Sequence, residues 1–399
     1  LKEKIIDKIP FLAISCIGSI TTMAIFNDNP IFKNYYVDFY SRMLSATKAF
    51  ASYFCKFFVP FNLSNRYFYN VSTSISDWHV IISVFILALI VYFACKSFKK
   101  NVVIFFCILW VFINLAPVSN IIPGPHWMAD RYLYYPSLAY GLFVAVLFSK
   151  TFKNINLFSS RINLKKGIVI SILILMLCFY SFGTIKRNTA WSDSITLWED
   201  CVKKNPESAL ARAYLGGSYM KKDLKNKAYP EFVESLKIFP SRANVWANLA
   251  YIDMDVGRLD EAYKKIRLAL LYEWNDYEAH IALGLFYIHK ANYNRAVIEL
   301  ERALELKPES IDDFILIYNS IGFAYHKKGQ NMDAIEAFNK ALKFNPDNYE
   351  VNLNLASIYT FYLNDKEKAL LHLNKLKQLR PDNTNVEQIQ ARVSTMFAK

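Results

Sequence analysis

Tyr277-Glu-Ala-His280-Ile-Ala-Leu-Gly284-Leu-Phe-Tyr-Ile-His-Lys-Ala-Asn-Tyr-Asn-Arg-Ala296-Val-Ile-Glu-Leu-Glu-Arg-Ala303-Leu-Glu-Leu-Lys-Pro308 decides the fold of the C-terminal half. Small residues at Gly284, Ala296 and Ala303 stand among apolar side chains at helical spacing, and a proline closes the unit. The same offsets recur on both sides. Pro206, Pro240, Pro308, Pro346 and Pro381 keep the beat and Trp274 fills the missing one, at intervals of 34, 34, 34, 38 and 35 residues. Gly216, Ala250, Gly284, Gly322 and Ala356 take the small position of a first helix; Ala228, Ala262, Ala296, Ala334 and Ala369 open a second. Such residues let two helices approach closely.

A 34-residue period of helical pairs is that of the tetratricopeptide repeat. Five repeats are expected, at 207–240, 241–274, 275–308, 309–346 and 347–381. A linker and capping helix (186–206) precedes them, Trp191–Lys204 reading as the second helix of an incomplete unit. A C-terminal capping helix (382–399) follows, because each unit buries its apolar face only against neighbours. The four extra residues of the 309–346 unit lengthen a loop or the first helix. First helices are expected to line a groove for a protein or peptide ligand, with Arg212, Asn244, Asn248, Tyr277, His280, Tyr318, Asn319 and Asn352 as candidate contacts.

The N-terminal half has a different physics. A hydrophobic fraction of 54% and a charged fraction of 20% average over two bodies, since most apolar excess precedes residue 185 and most charge follows it. Residues 1–185 read as a transmembrane domain of about five spans: Ile9–Phe26, Trp78–Cys95, Val102–Val118, Leu133–Phe148 and Gly167–Phe182. None contains Lys, Arg, Asp or Glu. The fold class is therefore all-α, a multispan transmembrane helical domain followed by a tetratricopeptide α-solenoid. The net charge of +13 comes largely from clusters beside the apolar runs: Lys2–Lys8, Lys96–Lys100 and Lys150–Lys166. That placement points to membrane lipid and away from nucleic acid. It also puts those clusters in the cytoplasm and the repeats on the non-cytoplasmic side, with Lys186 and Arg187 against the rule. The stretch Arg42–Phe61 is aromatic yet carries Arg42, Lys48 and Lys56; it reads as an interfacial amphipathic helix or a shallow re-entrant one, stopped by Pro60. Six cysteines, scattered singly, give no disulfide framework and no metal-ligand spacing.

The densest polar cluster near a span is Ser119-Asn-Ile-Ile-Pro-Gly-Pro-His126-Trp-Met-Ala-Asp130-Arg131-Tyr132-Leu-Tyr134-Tyr135-Pro136. Arg131 can pair with a phosphate held at the interface, beside Asp130 and His126. His126 and Asp130, four apart, could in principle touch one divalent metal, although no metal site is firmly implied. A second set comprises Asp38, Arg42, Asn62, Asn65, Arg66 and Asp77, with Asn62-Leu-Ser64 and Asn70-Val-Ser72 matching glycosylation acceptors. Neither set forms a paired-carboxylate or Ser-His-Asp arrangement.

The run Asp130-Arg-Tyr-Leu-Tyr-Tyr-Pro-Ser137, after Leu115-Ala-Pro-Val-Ser-Asn120, resembles the end of the membrane domain in the transmembrane-and-tetratricopeptide family of O-mannosyltransferase-like proteins. Arg42–Asn65, with Pro60-Phe-Asn-Leu-Ser64, is similar to a second block of that family. The resemblance implies a glycosyltransferase of the multispan superfamily. Such an enzyme moves a sugar from a polyprenyl- or dolichyl-phosphate donor to a protein hydroxyl outside the cytoplasm, and Arg131 matches the basic residue of the tyrosine-rich block. The family's enzymes carry acidic catalytic residues in a first outer loop. This chain looks like the back half of the membrane domain plus the repeats, the match assigns no base, and Asp38 is the nearest local substitute. A membrane-anchored repeat scaffold without chemistry is the alternative.

Overall fold

The computed structural model describes residues 37–60, 63–65, 67, 71–121, 128–153, 164–380 and 384–397. All regular structure among them is helical. The chain forms two compact units, Leu1–Ala211 and Arg212–Lys399.

The first unit contains α1 (Phe39–Phe58), α2 (Trp78–Lys100), α3 (Val102–Leu115), α4 (Tyr134–Lys153), α5 (Leu164–Ala190) and α6 (Ser194–Lys204). Three stretches are long and apolar enough to cross a membrane: Trp78–Lys100, Asp130–Ser149 and Gly167–Ala190. They are consistent with a multi-pass membrane protein. The expected span at Val102–Val118 is a shorter apolar helix. Its 14 α-helical residues give way to a 3-10 turn at Ala116–Val118, where Pro117 has no N–H to continue the ladder. Together they rise about 27 Å, slightly under a hydrocarbon core about 30 Å thick. The expected Ile9–Phe26 span lies outside the described residues. Asn101 alone separates α2 from α3 and serves both. Its N–H bonds the Ser97 carbonyl at 2.7 Å, and its side-chain oxygen accepts from the N–H groups of Val103 and Ile104.

Helix α1 starts where Asp38 accepts the Ser41 N–H at 2.8 Å, and it stops before Pro60. Asp38, the nearest candidate for a base, is thus a helix cap. Ala49, Tyr53 and Phe57 of α1 pack in one core with Cys107, Val111 and Leu115 of α3 and with Met128 and Ala139. Lys48 reaches Ser72 and Asp77, which caps the start of α2. Phe50 and Phe54 meet Phe112 near the end of α3. Phe57 stacks on Tyr140 of α4, and its carbonyl accepts from Tyr180 of α5 at 2.5 Å. Four membrane-unit helices therefore converge on α1.

The second unit stacks helix pairs: α7 (Ala209–Lys221) with α8 (Lys225–Ile238), α9 (Ala243–Asp255) with α10 (Leu259–Tyr272), α11 (Tyr277–His289) with α12 (Tyr293–Glu305), α13 (Ile311–Lys327) with α14 (Asn331–Phe344), and α15 (Tyr349–Ser357) with α16 (Lys366–Leu379). One packing rule sets each pair. A Cβ on Gly216 would sit 2.6 Å from the Phe232 ring, on Gly284 2.6 Å from Leu300, and on Gly322 2.7 Å from the Phe338 ring. Where alanine replaces glycine, at Ala250 and Ala356, the residues four after the second-helix alanine are Ile266 and Leu373, in the same cores. All five large side chains are buried. The four extra residues of the fourth repeat lengthen its first helix: α13 has 17 residues where α7, α9 and α11 have 13. Helix α17 (Thr384–Phe397) buries Val386, Ile389 and Val393 in the core of the last pair.

Adjacent glycines of α7 give a test. Gly217 has no neighbour within 4 Å of an added Cβ, whereas Gly216 faces the buried Phe232 ring. Gly217→Ala should stabilise the array by about 0.5–1 kcal/mol through helix propensity. Gly216→Ala should destabilise it by about 1–3 kcal/mol through overpacking. Urea unfolding of the two variants checks the opposite signs.

Candidate functional site

Asp130, Arg187, Asp200 and Lys204 form a chain of charges in the first unit. The guanidinium of Arg187, in the last turn of α5, lies between Asp200 (2.6 Å) and Asp130 (3.2 Å). Lys204 bonds Asp200 at 2.7 Å and the Leu63 carbonyl at 2.6 Å. Tyr67 donates to the other Asp130 oxygen at 2.5 Å, and the Asp130 N–H bonds the Ser64 carbonyl. Ser64 meets the buried Cys201 of α6 at 3.6 Å, and Lys56 stands 4.7 Å over the Tyr67 ring. Most of these side chains are half-buried, so opposite charge and hydrogen bonds replace lost hydration.

Arg131 points elsewhere. It is exposed and bonds the side-chain oxygen of Asn65 at 3.1 Å. Asp130 and Arg131 are neighbours in sequence with different partners, one held in the charge chain and one open at its rim. His126 lies outside the described residues, as do Asn62, Arg66 and Asn70. Among the described residues no three His, Cys, Asp or Glu side chains gather as a metal would need. Arg187 was not anticipated as a partner of Asp130, nor Lys204 as the partner of Asp200. The available signal was that Arg187 breaks the charge rule at the end of a span, which calls for nearby carboxylates.

The candidate groove residues resolve into two sets. Three close their own repeat: Arg212 pairs with Glu231 (2.9 Å), His280 bonds Glu299 (2.8 Å), and Asn352 bonds His372 (2.9 Å). Each partner lies 19 or 20 residues on, in the second helix. His280 and Asn352 also bond the carbonyls of Trp274 and Pro346, the beat residues six positions earlier. Two others join successive repeats: Asn248 donates to Glu278 (3.0 Å) and Asn319 accepts from Asn354 (3.0 Å), while Tyr277 stands near Asp313. Tyr318 lies against Phe344. The backbone carbonyl of Asn244 accepts from the Asn248 amide.

The junction around α11 is acidic. Burial, then Asp276 and Asp313, push Glu278 up to about 8. Burial pushes Asp276 up to about 6. Burial also raises Glu273 and Asp313. These carboxyls hold protons well above their ordinary range.

Segments 277–310, 315–348 and 349–383 match models of the tetratricopeptide repeat. Among curated proteins the chain is similar to human protein O-mannosyl-transferase TMTC3, 26% identical over 297 residues, covering 71% of this chain and 31% of that protein. The mouse TMTC3 is 27% identical over 275 residues, covering 65% and 29%. This chain thus spans about a third of the length of these relatives. Superkiller protein 3 of fission yeast (Schizosaccharomyces pombe) is 23% identical over 240 residues, covering 55% of this chain and 16% of that protein. Among solved structures, the Cut9-Hcn1 hetero-tetramer of the APC/C matches with a TM-score of 0.48 at 16% identity, covering 80% of this chain and 57% of that one. The chain is distantly similar to the TMTC proteins and carries membrane-length helices ahead of a tetratricopeptide array.

The raised carboxyls carry a pH dependence with a defined sign. A folded-state pKa above the unfolded value stabilises the fold fully below the ordinary carboxylate range, and that stability is lost as pH rises through about 6 for Asp276 and about 8 for Glu278. The melting temperature of the repeat unit should fall between about pH 5 and pH 9, and Glu278→Gln should remove the upper part of the fall. Thermal melts of both proteins in one detergent at fixed ionic strength check this.

Proposed function

We propose that the chain belongs to a membrane-bound protein glycosyltransferase of the lipid-phosphate-sugar type, acting on protein hydroxyls outside the cytoplasm, with the repeats holding acceptor or partner polypeptide. One observation carries this reading. The match to human protein O-mannosyl-transferase TMTC3 covers 71% of the chain, and the repeat unit Arg212–Lys399 is less than half of it. The similarity therefore reaches into the membrane unit, which shared repeats alone do not explain. The donor would be a polyprenyl- or dolichyl-phosphate sugar. An acceptor hydroxyl attacks the anomeric carbon, the lipid phosphate leaves, and a carboxylate takes the proton.

In this reading Arg131 contacts the donor phosphate. It is the exposed cation at the rim of the charge chain, and a guanidinium suits a phosphate held at an interface. Asp130 is bound to Tyr67 and Arg187 and holds the segment on which Arg131 is mounted. The scaffold reading draws on the tetratricopeptide matches over 277–310, 315–348 and 349–383.

Two measurements separate the readings. Deleting the coding gene should lower O-linked sugar on membrane and secreted proteins by more than half, and restoring it with Arg131→Ala should leave the deficit in place. Unchanged glycosylation with lost partner capture would reject the enzyme. Protease digestion of sealed vesicles should leave the repeats intact when they are enclosed on the non-cytoplasmic side; digestion from the cytoplasmic face would reject the orientation.

A further inference from the structure

The charges of helix α1 are engaged. Arg42 bonds the Val37 carbonyl at 2.7 Å, Lys48 bonds Ser72 and Asp77, and Lys56 lies over the Tyr67 ring. Its middle buries Leu44, Ala49 and Tyr53, whereas its last turn and the residue after it expose Cys55, Phe58 and Val59, with Phe58 58% and Val59 53% accessible.

The contacts of α1 give its depth. Lys48 is tied to Asp77, the cap at the start of the Trp78–Lys100 span. Phe57, nine residues later, meets Tyr140 and Tyr180. Tyr140 stands near the middle of the Asp130–Ser149 span and Tyr180 near the middle of Gly167–Ala190. Two spans thus place the end of α1 near mid-membrane independently. The rise of α1 agrees: nine residues cover about 13 Å, close to half of a hydrocarbon core about 30 Å thick.

The chain then comes back. By Ser64 its carbonyl already accepts the Asp130 N–H, at the end of the Asp130–Ser149 span. Five extended residues reach about 16 Å, enough for that return. Non-helical backbone survives at membrane depth only where protein satisfies it. Lys204 bonds the Leu63 carbonyl, Tyr67 accepts the Ser64 N–H at 3.1 Å, and the Tyr67 N–H bonds the Met128 carbonyl at 3.2 Å.

We propose that α1 enters the membrane and the chain is back at the start of the Asp130–Ser149 span by Ser64, a re-entrant hairpin with its tip at Phe58–Val59 among the acyl chains of one leaflet. The occupant of the exposed tip is lipid. That tip sits at the depth where the neighbouring spans show their own apolar residues, Phe179 and Phe182 of α5 among them. Pro60 ends the helix at the turning point, and the engaged basic residues spare the helix a charge in hydrocarbon.

The whole chain in nanodiscs tests this without substitution. One disc preparation carries a phospholipid with a diazirine halfway along its acyl chain, and adducts are mapped by mass spectrometry. The peptide containing Phe58 should carry lipid adducts within threefold of the yield on α5. A second preparation is treated with a charged maleimide that does not enter the bilayer, and Cys55 should react at least tenfold more slowly than after unfolding in SDS. A lipid adduct yield below a tenth of that on α5 overturns the proposal, and so does rapid modification of Cys55 in intact discs. Either result would show the tip facing water or a protein partner.

Discussion

A guanidinium at the end of a membrane span is the constraint around which the first unit is arranged. Arg187 closes a helix of membrane length, where a bare charge loses hydration and gains nothing. It is neutralised from two directions, by Asp130 at the start of one span and by Asp200 on α6. The second contact explains why α6, which follows the spans and heads towards the repeats, belongs to the membrane unit. Lys204 balances the remaining charge on Asp200 and reaches the Leu63 carbonyl, and Tyr67 completes Asp130. One cation thus draws together a span, the entrance to another, an irregular segment and a helix beyond the membrane.

The repeats are held by shape more than by charge. A missing side chain on the first helix admits a large one from the second: glycine faces phenylalanine or leucine, and alanine shares its core with isoleucine or leucine. The second repeat shows what happens when one element changes. At the offset where the other repeats carry Tyr219, Tyr287, Tyr325 and Tyr359, it has Asp253, fully buried. Arg258 at 2.6 Å and Lys265 enclose that carboxylate. A buried ion group of this kind contributes little net stability, yet removing one partner is costly, so the three residues work as a set.

Spacing was legible in the sequence because it is local. The 34-residue beat, the small positions and the apolar runs all lie within one or two helices, and the structure puts helix pairs on them. The change from α-helix to a 3-10 turn within Val102–Val118 was not legible from hydropathy, which does not register that Pro117 ends the α-helical ladder. The polar positions were harder. Arg212, His280 and Asn352 read as groove residues because first helices face a groove, but their partners wait on the second helix and only packing reveals them. A recurring hydrogen-bonding residue 19 or 20 positions downstream was the available clue. The Asp130 cluster was found from its density of polar residues, whereas its true partners, Tyr67 and Arg187, come from two other segments.

Those polar bonds set terms for any ligand of the array. Asn248 with Glu278 and Asn354 with Asn319 join successive repeats along the first helices. A ligand that takes the Glu278 oxygen bonded to Asn248 must break a bond between repeats worth about 0.5–1.5 kcal/mol net. Binding there is coupled to the stacking of repeats two and three. Protonation acts on the same carboxyl: the proton that burial favours on Glu278 removes the charge a cationic ligand would use, while leaving a carbonyl oxygen to accept from Asn248. The repeats that hold the stack together and the repeats that would hold a partner therefore share one set of atoms. A partner that avoids them must be recognised by backbone or by exposed apolar side chains instead.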